Sequence, residues 1–172
     1  RVLKPRFAAA LPDAAASIVA AIDDPIGTAP LETLARGKRS AAISVCDITR
    51  PAPNAIVLPP LLAALERAGV PREGIQILIA TGLHREATPL ELDEILGPEI
   101  HANYEVASHR AREEREQSYL GETASGTPVY IDRRFVEADL HITLGFVEPH
   151  LMAGFSGGRK LVSIGLAGEK TI

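Results

Sequence analysis

The sequence holds one cysteine, no tryptophan, four phenylalanines and three tyrosines in 172 residues. A lone cysteine, Cys46, excludes an internal disulfide and any cysteine-rich metal site, and it fits a reducing, cytoplasmic compartment. With so few aromatics, the core has to be aliphatic. No apolar run reaches the roughly 18 residues that a spanning helix needs. Pro12 and Asp13 break the Ala-rich opening, so no signal peptide is expected either. Excess positive charge is also missing. A net charge of −4 and a pI near 5.7 argue against a nucleic-acid partner or an anionic membrane surface. The phosphate-loop spacing GxxxxGK followed by Ser or Thr does not occur, because Lys160 precedes Leu161. What remains is a chain long enough for one domain with a sizeable core.

That core is written in short apolar runs. Ser40–Cys46, Gly74–Ala80 and Leu140–Leu144 read as buried strands, and Tyr104–Ala107 as a fourth. Helical spacing predicts helices over Leu11–Ile22, Pro30–Arg36 and Pro53–Ala68. In the last of these, Pro59-Pro60 is expected to mark the first turn, since proline suits that position. Thr88-Pro89-Leu90-Glu91 is a capping box that starts a helix running to Leu96 and closed by Gly97. Ala111–Gln117 is mostly charged and reads as a solvated segment. Tyr119–Thr123 and Pro128–Asp132 flank the Ser125-Gly126 turn as a hairpin. Strands alternating with helices imply an α/β fold. The expectation is a largely parallel sheet flanked by helices, with an added antiparallel hairpin, in a Rossmann-like three-layer domain.

Polar residues collect in three loops, each after an expected strand: Asp47–Arg50, Thr81–Arg85 and Glu148–Lys160. In open α/β sheets the carboxyl ends of the strands line the ligand crevice, so the three loops are expected to meet there. The third loop is the densest, with His150, Ser156, Gly157, Gly158, Arg159 and Lys160 close together. Glycines there allow close approach of a ligand, and turn amides followed by a helix start make an anion cradle. An ordinary glycine-rich turn with two solvated cations reads equally well. Asp47 and Arg50 are read either as site members or as a local pair or helix cap. His101, His109 and His141 have no such context and receive no role. Cys46 is read as a small buried hydrophobe.

Four blocks together resemble a known family: Asp47-Ile-Thr-Arg-Pro51, Thr81-Gly-Leu-His-Arg85, Gly121-Glu-Thr with Gly126-Thr-Pro-Val129, and Glu148-Pro-His through Gly-Gly-Arg-Lys160. They are similar to the N-terminal domain of the nickel-dependent lactate racemase family. The similarity runs from about Ser40 to the end, and Arg1 to Lys38 carry little of it. The resemblance implies racemisation or epimerisation of lactate-like 2-hydroxy acids by hydride transfer to and from a nickel-pincer nucleotide. That cofactor is a pyridinium bis-thiocarboxylate mononucleotide that holds nickel and is tethered to a lysine.

By the same resemblance Lys160 is the tether, with Ser156, Gly157 and Gly158 beside the cofactor. His84 and His150 are the acid/base histidines on opposite substrate faces. Arg50 and Asp47 belong to the substrate-binding cluster. No metal ligand is expected within this chain. The nickel-ligating histidine is expected beyond Ile172, as is a C-terminal domain that serves as the main partner. The start at Arg1 and the stop at Ile172 fit an N-terminal piece, residues 1–172, expected to fold but to be inactive alone. In many relatives Asn-His-Asp stands where this chain has Ser108-His109-Arg110.

Two other functions stay open. One is a nucleotide- or anion-binding module without racemase chemistry. The other is a hydrolase or transferase with Cys46 or Ser156 as nucleophile.

Overall fold

A computed structural model describes residues 8–172. Its centre is a parallel sheet of β1 (Ala41–Cys46), β2 (Ile75–Ala80), β3 (Glu105–Ser108) and a later strand, Leu140–Leu144, in the order β3, β2, β1, Leu140–Leu144. Every residue of β1 is buried because both faces of the sheet are covered, which is why it reads as a continuous apolar run. Ala41, Ile43 and Val45 pack with Ile75, Ile77 and Ile79 on one face, against Leu58, Leu62 and Leu65 of a long helix. On the other face Ala42 and Leu78 meet Ile131, Phe135, Leu166 and Ala167. This is the expected three-layer α/β architecture.

The helices on the first face are α1 (Ala14–Asp23), α2 (Leu31–Ala35), α3 (Asn54–Arg67), α4 (Pro89–Leu96) and α5 (Pro98–Asn103). Asp13 caps α1 by accepting a hydrogen bond from the Ala16 amide at 2.9 Å. The capping box at Thr88 and Glu91 is formed, and Gly97 ends α4 at φ +88°.

One expectation fails. Pro59 and Pro60 lie inside α3, not in its first turn. Each removes one i→i−4 hydrogen bond, which frees the carbonyls of Ala55 and Ile56. Both of those residues are exposed, so water can serve those carbonyls and the helix continues. Leu58, Leu61, Leu62 and Leu65 on the buried face offset the loss.

On the second face lie the antiparallel hairpin of β4 (Gln117–Glu122) and β5 (Pro128–Asp132) and the short helix α6 (Arg133–Glu137). In the Ala111–Gln117 segment the charged residues 112–115 are exposed as expected, while Ala111 and Gln117 at its ends are buried. The chain then returns through β6 (Leu140–Leu144), which pairs with β1 in parallel. It continues into a small ribbon, β7 (Pro149–His150) with β8 (Gly154–Phe155), and α7 (Lys160–Ser163). Because β2 and β6 flank β1 on opposite sides, the sheet reverses its winding at β1, and a crevice opens above that point. Among the described residues, no helix is long and apolar enough to cross a membrane.

Candidate active site

The loops after β1, β2 and β6 meet at the carboxyl edge of the sheet. They enclose a cleft of about 500 Å³ lined by Asp47, Arg50, His84, His150, Ser156 and Lys160, among others. The structure thus brings three stretches, far apart in sequence, to one wall. Gly157 joins them, whereas Gly158 lines a neighbouring groove beside the β4–β5 hairpin.

His84 is exposed on its outer side and held from behind. Its Nδ1 lies 2.7 Å from Asp47 Oδ2. The other Asp47 oxygen accepts from the Thr49 hydroxyl at 2.5 Å and the Thr49 amide at 3.3 Å. An acceptor-only carboxylate at Nδ1 assigns the hydrogen to that nitrogen and leaves the lone pair on Nε2. The backbone supports the arrangement too, since the His84 amide donates to the Thr81 carbonyl at 3.0 Å.

His150 is set the opposite way. Its Nδ1 accepts from the amides of Met152 and Ala153 at 3.3 and 3.1 Å, so its hydrogen sits on Nε2. Arg50 is engaged by Glu148, with Nη1 3.2 Å from Oε1. The β7–β8 ribbon that carries His150 exposes Leu151, Met152 and Phe155, and Met152 lines the cleft.

Below the ribbon the glycine-rich segment is tightly folded. Ser156 is buried; its hydroxyl donates to the Phe146 carbonyl at 2.6 Å and accepts from the Glu148 amide at 3.1 Å. That hydroxyl is spent on the loop itself. Gly157 has φ +68°, and a Cβ there would stand 3.0 Å from the Phe146 oxygen; a Cβ on Gly145 would meet the Gly157 Cα at 2.8 Å. Only glycine lets the loop lie this close to the end of β6. α7 is one turn long, and Lys160 opens it half-buried at the cleft wall. Lys160 forms no salt bridge among the described residues. Burial pushes the Cys46 thiol up, outweighing a hydrogen bond from the Phe146 backbone, so it stays protonated and is a poor nucleophile.

A second polar cluster lies behind the cleft, where the sequence marks nothing. His109 and Asp132 are fully buried and paired, Nδ1 to Oδ2, at 2.8 Å. Burial alone would raise the Asp132 carboxyl, but hydrogen bonds from Arg134 and His109 outweigh it and hold the group at about 2. A histidine between Ser108 and Arg110, just past a strand end, carries no such signal by itself. His101, by contrast, only pairs with Asp93, away from the cleft.

Fold and cleft together define a three-layer α/β domain of the kind that binds small ligands at the carboxyl ends of its strands. Within that class, the chain belongs to the lactate racemase N-terminal domain family, whose model matches residues 1–172. It is 44% identical over 151 residues to the lactate racemase of Lactiplantibacillus plantarum, covering 88% of this chain and 35% of that protein. With the lactate racemase of Thermoanaerobacterium thermosaccharolyticum it shares 40% over 152 residues, again 88% and 35%. The structure of the lactate racemase apoprotein from that organism superposes with a TM-score of 0.85 at 38% identity, over 90% of this chain and 37% of that one. A Thermotoga maritima protein at 20% identity and a TM-score of 0.71 shares the fold. The chain therefore spans about a third of the length of the lactate racemases it matches.

Proposed function

We propose that this chain is the N-terminal domain of a racemase or epimerase of lactate-like 2-hydroxy acids, with His84 and His150 as its acid/base pair. One observation carries the reading: a carboxylate-backed histidine, a second histidine and a lysine that forms no salt bridge among the described residues share one cleft. Lactate racemase relatives at 40–44% identity support it.

Asp47 accepts the Nδ1 hydrogen of His84 and leaves Nε2 ready to take the hydroxyl proton of a bound 2-hydroxy acid. Within the substrate-binding cluster it thus acts through His84. His150 presents Nε2–H and donates toward substrate oxygen from its own side. To give a proton up, His150 must first be protonated on Nδ1, and to take one at Nε2 it must first hold its hydrogen on Nδ1, so in either role Nδ1 has to leave the Met152–Ala153 turn. Arg50 binds the substrate carboxylate bidentately once Glu148 yields it.

Lys160 is the residue that would hold a nickel-pincer nucleotide, through its amine, with Gly157 giving the ring close access. When bound, that group supplies acceptance and return of the C2 hydrogen with its electron pair. Among the described residues, no group of three or more His, Cys, Asp or Glu is placed to hold a metal ion. A C-terminal part would supply the remaining nickel ligand and would also cover the exposed Leu151, Met152 and Phe155.

The test is to express the full-length protein with cofactor supplied and follow D- and L-lactate by chiral chromatography, alongside peptide mass mapping at Lys160. Interconversion with an adduct on Lys160 supports the reading. A loaded protein that interconverts no 2-hydroxy acid leaves the binding-module alternative.

A further inference from the structure

The buried His109 is not an isolated core histidine, because its four polar atoms are all committed, two to the end of β2 and one each to Asp132 and Ala167. Its amide donates to the Ile79 carbonyl at 3.0 Å, and its carbonyl accepts from the Thr81 hydroxyl at 2.6 Å. Thr81 in turn holds the His84 amide at 3.0 Å. On the ring, Nδ1 faces the Asp132 carboxylate at 2.8 Å and Nε2 faces the Ala167 carbonyl at 2.9 Å. Both partners are acceptors, so the geometry calls for a hydrogen on each ring nitrogen.

Ala167 follows α7, whose first residue is Lys160. The segment between them reaches back to the His84 loop, where the Gly82 amide donates to the Gly165 carbonyl at 3.0 Å. The same segment is stitched to β5 by the Asp132 amide on the Leu166 carbonyl at 2.8 Å and the Gly168 amide on the Tyr130 carbonyl at 2.9 Å. Arg134 completes the cluster by placing Nη2 2.6 Å from Asp132 Oδ2.

We infer that His109 is a positioning residue: a buried, doubly donating imidazolium that fixes the His84 loop and the Lys160 segment relative to each other. This rests on the reading of His84 and Lys160 given above. The physical reason is that a buried charge pair tolerates little displacement. Breaking either ring contact leaves an unpaired polar group in the core, which is costly, so the two segments are locked to one geometry. A neutral hydrogen-bonding side chain at this position satisfies at most part of the arrangement. Precision at His84 and Lys160 matters because a misplacement on the order of 1 Å costs about 100-fold in rate.

The experiment uses the full-length protein with histidine-selective ¹⁵N labelling. At neutral pH the His109 ring should show two nitrogen-bound, slowly exchanging hydrogens, and a single ring hydrogen would overturn the assignment. His109→Gln should lower kcat by about 100-fold with KM little changed. It should also speed amide exchange at Gly82 and His84 while Ile43 and Ile77 keep their protection. Thr81→Val, which removes only the hydroxyl link, should loosen His84 in the same way, and it serves if His109→Gln does not fold. Uniformly faster exchange across the sheet, or unchanged kcat, would reduce His109 to a core residue. The ring hydrogens and the local exchange are read without turnover. A protein that fails to racemise but shows both therefore contradicts the functional reading and leaves this one standing.

Discussion

His84 and Asp47 stand 37 positions apart in sequence, yet their side chains meet at 2.7 Å, Nδ1 to Oδ2, at the ends of neighbouring parallel strands. The register of β1 on β2 makes this contact. Cys46 pairs with Ala80, so the residues just beyond each strand end emerge side by side. Asp47→Asn keeps the size of the side chain but offers an amide where His84 Nδ1–H needs an acceptor. The tautomer and the ring orientation are then lost together. The expected outcome in the full-length protein is a fall in kcat of about 100-fold with KM little changed, read from initial rates in both directions.

The Arg50–Glu148 pair gives a prediction of the opposite sign. Both side chains are partly exposed, so the pair itself is worth about 1 kcal/mol or less. If Arg50 binds the substrate carboxylate as proposed, Glu148 competes with it for the guanidinium. Glu148→Gln should lower KM, by up to about fivefold. Arg50→Ala should raise it. Steady-state kinetics on the two variants decides whether Arg50 meets the carboxylate at all.

Acid stability should report the buried cluster. Asp132 titrates near 2 in the folded protein, below its ordinary value, so the folded state binds this proton less readily than the unfolded chain does. Its contribution is fully present above the unfolded value of about 4. It is lost as pH falls through that value toward 2, a change of roughly 2 kcal/mol. Urea titrations between pH 5 and pH 2 should therefore show a drop for the native protein that is smaller in Asp132→Asn, after allowing for that variant's lower baseline.

Core and cap substitutions test the fold without touching the cleft. Leu58 is fully buried where α3 meets the sheet, and Leu58→Ala should cost about 2–5 kcal/mol. Thr88→Ala removes the capping box of α4 and should cost about 1 kcal/mol. Chemical denaturation measures both.

Much of this architecture is legible in the residues themselves. Ile75–Ala80 and Ala41–Cys46 read as strands because both faces are buried, and Thr88 with Glu91 announces a helix start through local chemistry. The three polar loops could be placed at one edge for the same reason, since parallel strands share their carboxyl ends. Pro59-Pro60 misled because the rule for proline is local, while α3 is held by four leucines packed against a distant sheet. The short helices α5, α6 and α7 span too few residues for periodicity to show. His109 was invisible as a site residue. Its meaning depends on Asp132 and Ala167, which only the folded chain brings to its two ring nitrogens.

The central claim is that His84 and His150 serve one reaction from two sides. It is tested most directly by measuring both directions of lactate interconversion in full-length His84→Ala and His150→Ala proteins whose Lys160 adduct has been verified by mass. On the proposed mechanism each turnover would use one histidine to take a proton and the other, already protonated, to give one. Both variants should therefore lose on the order of 10²–10⁴-fold in both directions while keeping the adduct. A variant that retains near-native rates in either direction would contradict the two-histidine account.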